Sequence, residues 1–514
     1  MMSDTFTLTP GTLTLAELRV IWLKPVKVKL DDAARDRIQA ARNLVEQRIA
    51  DGVVDYGIST GFGLLASTHI PPDKVEQLQE NLVLSHMAGT GEPLDDNTVR
   101  LVMMLKASSL GQGYSGIRQE IIDALLALVS HEIYPIIPSK GSVGASGDLA
   151  PLAHMTSALM GIGTVRHLCG EIPATEGLKI AGLKPFRLKA KEGLALLNGT
   201  QVSTALALKG LFKIENVFAA AMVAGGLSID ALMGTDAAFD KRIHRVRRQL
   251  GQQQVAAKLR KLLIGSEIRL SHADCERVQD PYSLRCQPQV MGAALDVIHS
   301  AADTLHDEAD AVTDIPLIFI EEDEVLSGGN FHAEPVAFAA DMLALAIAEV
   351  GSISERRTAL MVDPSMSELP AFLVADSGLN SGFMIAQVTA AAMVAENRQR
   401  AAPTVVDSVP TSANQEDHVS MATYGARRLS DMADNTATII AVELLCACQG
   451  IDFRTPLKTS PELGKAYDHV RSVAKHWQHD RIMAIDMEAI KQQILSGDYL
   501  SYANDLLPSG SEDS

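Results

Sequence analysis

The chain has 514 residues, with 45 Lys and Arg against 63 Asp and Glu and a formal net charge of −18. Nucleic acid and anionic membrane surfaces both demand clustered positive charge, so this balance argues against either as a partner. A hydrophobic content of 47% with 21% charged residues is that of an ordinary soluble globular protein.

The start, Met1 to Thr5, shows no basic stretch ahead of an apolar core, so no secretory signal is expected and the cytoplasm is the predicted location. Residues 1 to about 60 mix short alternating pieces (Leu18 to Leu30) with a helix predicted from Asp31 to about Asp51. Asp31 or Asp32 would cap that helix, because a carboxylate accepts from the orphan N–H groups of a first turn. A glycine-rich loop follows at Tyr56 to Gly63. From Lys74 onward helical spacing dominates, and three long apolar stretches stand out: Gln201–Met233, Val336–Met361 and Ser381–Asn397. In the last, apolar side chains cover nearly every face from Phe383 to Val394, and such a helix must be surrounded by others. Asp341 and Glu349 interrupt the long apolar runs, so no membrane span is expected. Strand-like alternation is scarce outside the first third. The reading is a mainly α protein built on a bundle of long helices.

Five cysteines (Cys169, Cys275, Cys286, Cys446, Cys448) show no framework spacing and read as reduced thiols. Cys446 and Cys448 sit in an apolar helical stretch, where packed thiols are expected rather than a metal or redox pair. No internal repeat is present, and the polar tail Pro508–Ser514 is expected to fray.

The chemistry-bearing blocks follow in chain order. Asp55–Gly63 offers one tyrosine, Tyr56, in a glycine-rich loop. Its Gly61-Phe62-Gly63-Leu64-Leu65-Ala66 loosely fits a dinucleotide fingerprint, but Pro71 and Pro72 stand where a long helix should run. Asn81–Gly89 places Ser85-His86 at the end of an apolar run, where a histidine is often structural. Gly141–His154 contains Ala145-Ser146-Gly147, by itself a common small-residue turn, but also a triplet able to make an electrophile from its own backbone. If the Gly147 N–H reaches the Ala145 carbonyl carbon, a ring closes and one water leaves. Loss of the Ser146 hydroxyl as a second water gives 4-methylideneimidazol-5-one (MIO). Glycine permits the fold-back, serine carries the hydroxyl to be lost, and alanine crowds the ring least. Leu196–Gln201 puts Asn198 just ahead of a long helix, a natural cap position. Val278–Gln289 carries Gln279, Tyr282 and Arg285; the arginine fork fits a carboxylate, from a substrate or from a bundle salt bridge. Ser327–Pro335 supplies Phe331, with core packing as the plain alternative. Its His332-x-Glu334 spacing suggests a metal, but no second histidine pair follows, so no metal is expected. Met384 has helix packing as its default role. Thr411–Met421 holds Glu416, a carboxylate that is either a base or part of a solvated acidic turn with Asp417.

These blocks together closely resemble the aromatic amino acid ammonia-lyases, which act on histidine, phenylalanine or tyrosine. The resemblance runs from about Leu8 to beyond Cys448. It implies the long-helix bundle of the ammonia-lyase and fumarase-like type with a smaller mixed N-terminal region. Residues 1–195 would carry the tyrosine loop and the triplet, and 196–514 the central bundle and C-terminal helices. It implies an MIO group formed from Ala145, Ser146 and Gly147, with no external cofactor. Tyr56 would be the base that removes a β-proton, Asn198 would order the electrophile, and Tyr282 and Arg285 would hold the substrate carboxylate, with Gln279 completing the site. Phe331 would pack near the electrophile and Met384 would line the pocket. Ser85-His86 with Glu416 points to histidine as substrate, giving urocanate and ammonia, the first step of histidine degradation. Members are homotetramers with sites built from several subunits. One departure stands out: the family usually has asparagine where this chain has Ile315, between Asp314 and Pro316, so any hydrogen bond from that amide is lost. Rival readings are the same elimination on phenylalanine or tyrosine, a serine hydrolase using Ser146, and a non-catalytic helical scaffold. Gly144–Asp148 is not the Gly-x-Ser-x-Gly of a hydrolase elbow.

Overall fold

Thr14 caps the first helix, Leu15–Leu23, with a reciprocal box: its hydroxyl accepts from the Glu17 N–H at 3.2 Å, and Glu17 accepts the Thr14 N–H at 2.9 Å. The expected alternation beginning at Leu18 is therefore helical up to Leu23, because the cap and four buried side chains (Leu18, Arg19, Ile21, Trp22) outweigh a short-range period of two. Only Val28–Leu30 is a strand there, paired in parallel with Phe6–Leu8. Asp31 caps a 3-10 turn, Asp32–Ala34, accepting from Ala33 N–H at 3.0 Å; the α-helix Arg35–Ala50 follows directly and, against expectation, carries no side-chain cap of its own.

This computed structural model describes residues 5–63, 67–168, 170–272 and 278–510. Leu64, Leu65, Ala66, Cys169, Cys275 and the last four tail positions lie outside the described residues. The chain forms two compact units. The first comprises 1–209, 302–341 and 403–427; the second 210–301, 342–402 and 428–514.

Every strand among the described residues belongs to the first unit, as three two-stranded pairs and one three-stranded sheet. One pair, Leu317–Phe319 with Glu324–Leu326, lies well beyond the first third of the chain. The first unit's helices include Val75–His86, Asp96–Gly111 and Leu149–Leu159. Almost all of Asp96–Gly111 is buried, Arg100 and Lys106 included. Buried Arg100 is satisfied by backbone carbonyls, Ile21 at 2.5 Å and Trp22 at 2.7 Å, as a buried cation must be.

The long helices are Gln201–Ala231, Gln287–Ala309, Glu334–Val362 and Ala422–Asp452. Gln201–Ala231 is buried on nearly every face, as its all-round apolar surface requires. Glu334–Val362 is long and apolar enough to cross a membrane by length and composition, but 67% of its most apolar stretch is buried inside the protein, as in a core helix. The helix Met384–Arg400 departs from expectation. It buries only the stripe Ala386, Ala390, Val394 and Asn397, while Ile385 is 63% and Val388 52% exposed.

Cys446 and Cys448 are buried free thiols, and burial pushes the Cys448 thiol up to about 12, far from redox use. Cys286 is free and half-buried. The tail is better held than its composition suggests. Ser509 is buried, and its N–H donates to Glu215 at 2.9 Å.

Candidate active site

The run from Gly141 leaves the strand Pro138–Lys140 and enters the helix Leu149–Leu159. Between them the backbone takes positive φ at Gly141, Gly144 and Gly147. At Gly147 (φ +73°) glycine is obligatory, since a Cβ would stand 2.2 Å from the Gly199 carbonyl oxygen. The two glycines lie backbone to backbone, and the Asp148 N–H donates to Gly199 O at 2.8 Å.

Two side chains hold Ser146 between them. Asn198 Nδ2 donates to the Ser146 carbonyl at 2.8 Å, and Ser146 Oγ donates to Glu416 Oε1 at 2.5 Å. Asn198 is buried and fixed at both ends. Its Oδ1 accepts the Ile315 backbone N–H at 2.8 Å, and its own carbonyl accepts from Lys106 Nζ at 2.7 Å. The bond that orients Asn198 thus comes from the main chain of residue 315, and isoleucine there leaves it intact. Burial pushes the Lys106 amine down to about 7, with Asp314 pulling the other way.

Asp148 lies behind the triplet, fully buried, and accepts four hydrogen bonds. Ser142 Oγ (2.8 Å) and Thr423 Oγ1 (2.6 Å) reach one oxygen; the Ser203 N–H (2.7 Å) and Oγ (2.9 Å) reach the other. It ties the triplet to the first turns of two long helices, and with four donors it has no capacity left for chemistry.

Glu416 is set differently. Its Oε2 accepts from Thr411 Oγ1 at 2.6 Å and Ser412 Oγ at 2.9 Å, leaving Oε1 aimed at Ser146. Burial works to raise the Glu416 carboxyl, but the hydroxyls of Ser146, Thr411 and Ser412 outweigh it and hold the group below the usual range. The loop that presents it is strained: Ser412, Ala413 and Asn414 take φ of +50°, +54° and +68° in succession. Left-handed residues of this kind cost roughly 1–2 kcal/mol each, which the Thr411–Glu416 backbone bonds and the carboxylate's own contacts must offset.

His86 ends the helix Val75–His86, and its Nδ1 lies 2.8 Å from the Leu82 carbonyl. A carbonyl only accepts, so Nδ1 carries the hydrogen and Nε2 the lone pair. Burial pushes the His86 imidazole below its ordinary value; the Leu82 bond and the Glu416 charge oppose this. His86, Ser146 and Glu416 share one cavity of about 330 Å³, with Ala145, Gly147, Thr411 and Ser412 also in its wall.

Six other residues singled out from the sequence do not line this cavity. The Tyr56 hydroxyl accepts the Gly63 N–H at 3.2 Å, and its ring meets Phe62 edge-on at 6.3 Å. Phe331 is half-buried and Gln279 is exposed. Tyr282 is 69% and Met384 37% exposed. Arg285 stacks 4.6 Å over the Tyr282 ring, its Nε donating to the Asp280 carbonyl at 2.9 Å. His332 and Glu334, which lack a second histidine nearby in sequence, have His418 near them in space; the three donor atoms lie within 4.8 Å of one another.

Sequence reasoning missed Asp148, Lys106, Thr411 and Ser412. Asp148, Thr411 and Ser412 were inside the quoted blocks, but nothing in the order of residues told which oxygen meets which. Lys106 gave a weak signal, a lone cation in an apolar helix.

A family model described as aromatic amino acid lyase matches residues 13–472. The chain is 58% identical to a histidine ammonia-lyase of Burkholderia orbicola over 95% of its length and 96% of that protein. It is 57% identical to a histidine ammonia-lyase of Desulfotalea psychrophila, covering 99% of both. Among solved structures it is similar to histidine ammonia-lyase from Trypanosoma cruzi, with a TM-score of 0.90 at 40% identity over 98% of this chain and 96% of that one. It also superimposes on a tyrosine aminomutase from Streptomyces globisporus, with a TM-score of 0.92 at 32% identity over 99% of both chains.

Proposed function

This chain belongs to the aromatic amino acid lyase family, and we propose that it works through an electrophile made from its own Ala145-Ser146-Gly147. It is a carbon–nitrogen lyase that eliminates ammonia from L-histidine to leave trans-urocanate. The local geometry fits the MIO group. Gly147 has the backbone freedom and no Cβ, Ser146 Oγ faces a cavity into which water can leave, and Asn198 already donates to the carbonyl that the ring retains. Once formed, the group supplies an electrophilic carbon for the substrate amine, turning ammonia into a good leaving group.

The observation that carries histidine as substrate is the pair of acceptors, His86 and Glu416, that share the cavity with Ser146. His86 offers a lone pair at Nε2 and Glu416 a carboxylate. An imidazole N–H satisfies one of them; a phenyl ring satisfies neither and leaves His86 Nε2 and Glu416 Oε1 without a donor from the substrate. Asn198 polarises the Ser146 carbonyl, where negative charge builds up. Tyr56 takes the β-proton, and Arg285 with Tyr282 clamps the carboxylate, supported by Gln279, Phe331 and Met384. In this reading the enzyme is a cytoplasmic homotetramer whose sites draw residues from neighbouring copies. Support comes from side chains left bare on one copy: Val278 at 93%, Leu379 at 87% and Ile385 at 63% exposed.

Incubation with L-histidine should produce urocanate, read by its ultraviolet absorbance, and L-phenylalanine should give at most a trace of cinnamate. Cinnamate without urocanate would transfer the assignment to the phenylalanine branch. Borohydride should inactivate the enzyme; a serine hydrolase would survive it.

A pH dependence follows from His86. Its folded value is depressed, so the ring stays neutral until the pH falls below the ordinary imidazole value near 6.5, and only then loses its acceptor. Glu416, held low as well, stays ionised through that window. The acid limb of kcat/KM should therefore include a protonation of His86 beside those of the substrate's own amine and imidazole. In His86→Gln the limb should be shallower by one proton. A limb of unchanged order in the variant would remove His86 from the substrate contact.

A further inference from the structure

We propose that Glu416 also makes the electrophile, by removing the elements of water from Ser146. This rests on the reading of Ala145-Ser146-Gly147 given above. The linear chain already contains the contact that such a step needs: Ser146 Oγ donates to Glu416 Oε1 at 2.5 Å, although the two residues are 270 positions apart. Binding histidine gives no reason for a carboxylate to grip the hydroxyl that must depart. Dehydration does.

The rest of the carboxylate is arranged for the same task. Thr411 and Ser412 occupy Oε2, so Oε1 is the free oxygen and points at the triplet. Three consecutive left-handed residues hold that aim, a cost that a merely solvated acidic turn would not sustain. The other carboxylate close to the triplet, Asp148, is saturated by four donors and cannot exchange a proton without breaking the scaffold.

After Gly147 N has closed on the Ala145 carbonyl carbon and the first water has left, the Ser146 Cα–H lies between a carbonyl and a C=N bond and becomes acidic. Oγ, Cβ and Cα are consecutive atoms, so a carboxylate resting on Oγ needs only a small rotation to reach the Cα hydrogen. Glu416 takes that proton. The electron pair of the broken Cα–H bond forms the Cα–Cβ double bond as the Cβ–Oγ bond breaks. The protonated Glu416 then returns the proton to the departing hydroxide, and water leaves into the cavity. The carboxylate is regenerated and no oxidant or co-reactant is consumed. Loss of the hydroxyl also strips Oε1 of its only hydrogen-bond donor among the described residues, which frees it to accept the imidazole N–H of substrate. One residue thus prepares the electrophile and is released for substrate by doing so.

Intact-protein mass tests this without reference to turnover. Wild type should weigh two waters less than the linear chain. Glu416→Gln keeps the shape and one accepting oxygen but cannot carry the proton, and should retain the second water. A proteolytic peptide spanning 145–147 should then show an intact serine side chain. Glu416→Asp keeps a carboxylate on a shorter arm and should lose the second water slowly, over hours after purification; this variant decides the matter if circular dichroism shows the glutamine variant unfolded. A folded Glu416→Gln chain that has lost both waters, or an aspartate variant that matures as fast as wild type, overturns the proposal. If wild type itself loses no water, the MIO reading fails instead, so the two failures are told apart.

Discussion

Ser146→Ala should leave a folded protein that releases no measurable urocanate from histidine. The side chain lost is small and sits on a cavity wall, so folding has little to lose. Glu416 keeps its Thr411 and Ser412 donors, and mature wild type has itself lost the Ser146 hydroxyl, so no hydrogen bond to Glu416 separates the two proteins. The stability change should be within about 1 kcal/mol, and thermal unfolding measures it. Turnover should fall by roughly 10³-fold or more, because the variant has no electrophilic carbon and no ordinary side chain can replace one. Intact mass should show that the second water is never lost. A Ser146→Ala enzyme that still makes urocanate at a tenth of the wild-type rate would mean that the amine is activated some other way, and the mechanism proposed for this site would have to be abandoned.

How much of this was legible beforehand divides along a physical line. The helices were, because burial imposes a period and Gln201–Ala231 is apolar all round. Leu15–Leu23 was not, because nine residues are too few for a period to show, and the Thr14–Glu17 box that decides it is local chemistry rather than pattern. The triplet could be singled out because its chemistry lies within three consecutive residues and because the block around it, Gly141–His154, carries the family resemblance that a bare small-residue turn lacks. The grip of Glu416 on Ser146 was not legible, since it depends on a loop 270 positions away in which Ser412 and Ala413 take a left-handed turn that their own propensities do not favour. The Ile315 departure shows the same limit from the other side. Read as a lost amide, it removes a hydrogen bond; in the fold, the bond that orients Asn198 comes from the backbone and survives. The helix Met384–Arg400 was read as needing neighbours on every side, and one copy provides them along a single stripe.

That difference leads to the second large effect, which concerns Arg285. Arg285→Leu alone should lower kcat/KM by about 100-fold or more, since two charge-assisted hydrogen bonds to the substrate carboxylate, at about 1.5–3 kcal/mol each, are lost. Arg285→Lys should fall between, because it keeps the charge without the planar fork. Neither Ser146→Ala nor Arg285→Leu should support activity by itself. Co-expressed with two different tags and purified through both, they should regain it. Each site of a shared-site assembly takes its triplet from one copy and its arginine from another. Random mixing then leaves about one site in four with both residues intact, so activity should rise to roughly a quarter of wild type. Co-expressing Ser146→Ala with the double variant Ser146→Ala, Arg285→Leu must give nothing, since no intact triplet is present. The short helix Tyr282–Arg285 has the character of an arm offered to a neighbour, with Tyr282 69% exposed beneath the stacked guanidinium. Should the doubly tagged Ser146→Ala and Arg285→Leu assembly stay as inactive as its parents, each site would have to be built within one chain, and the exposed apolar faces would need another explanation.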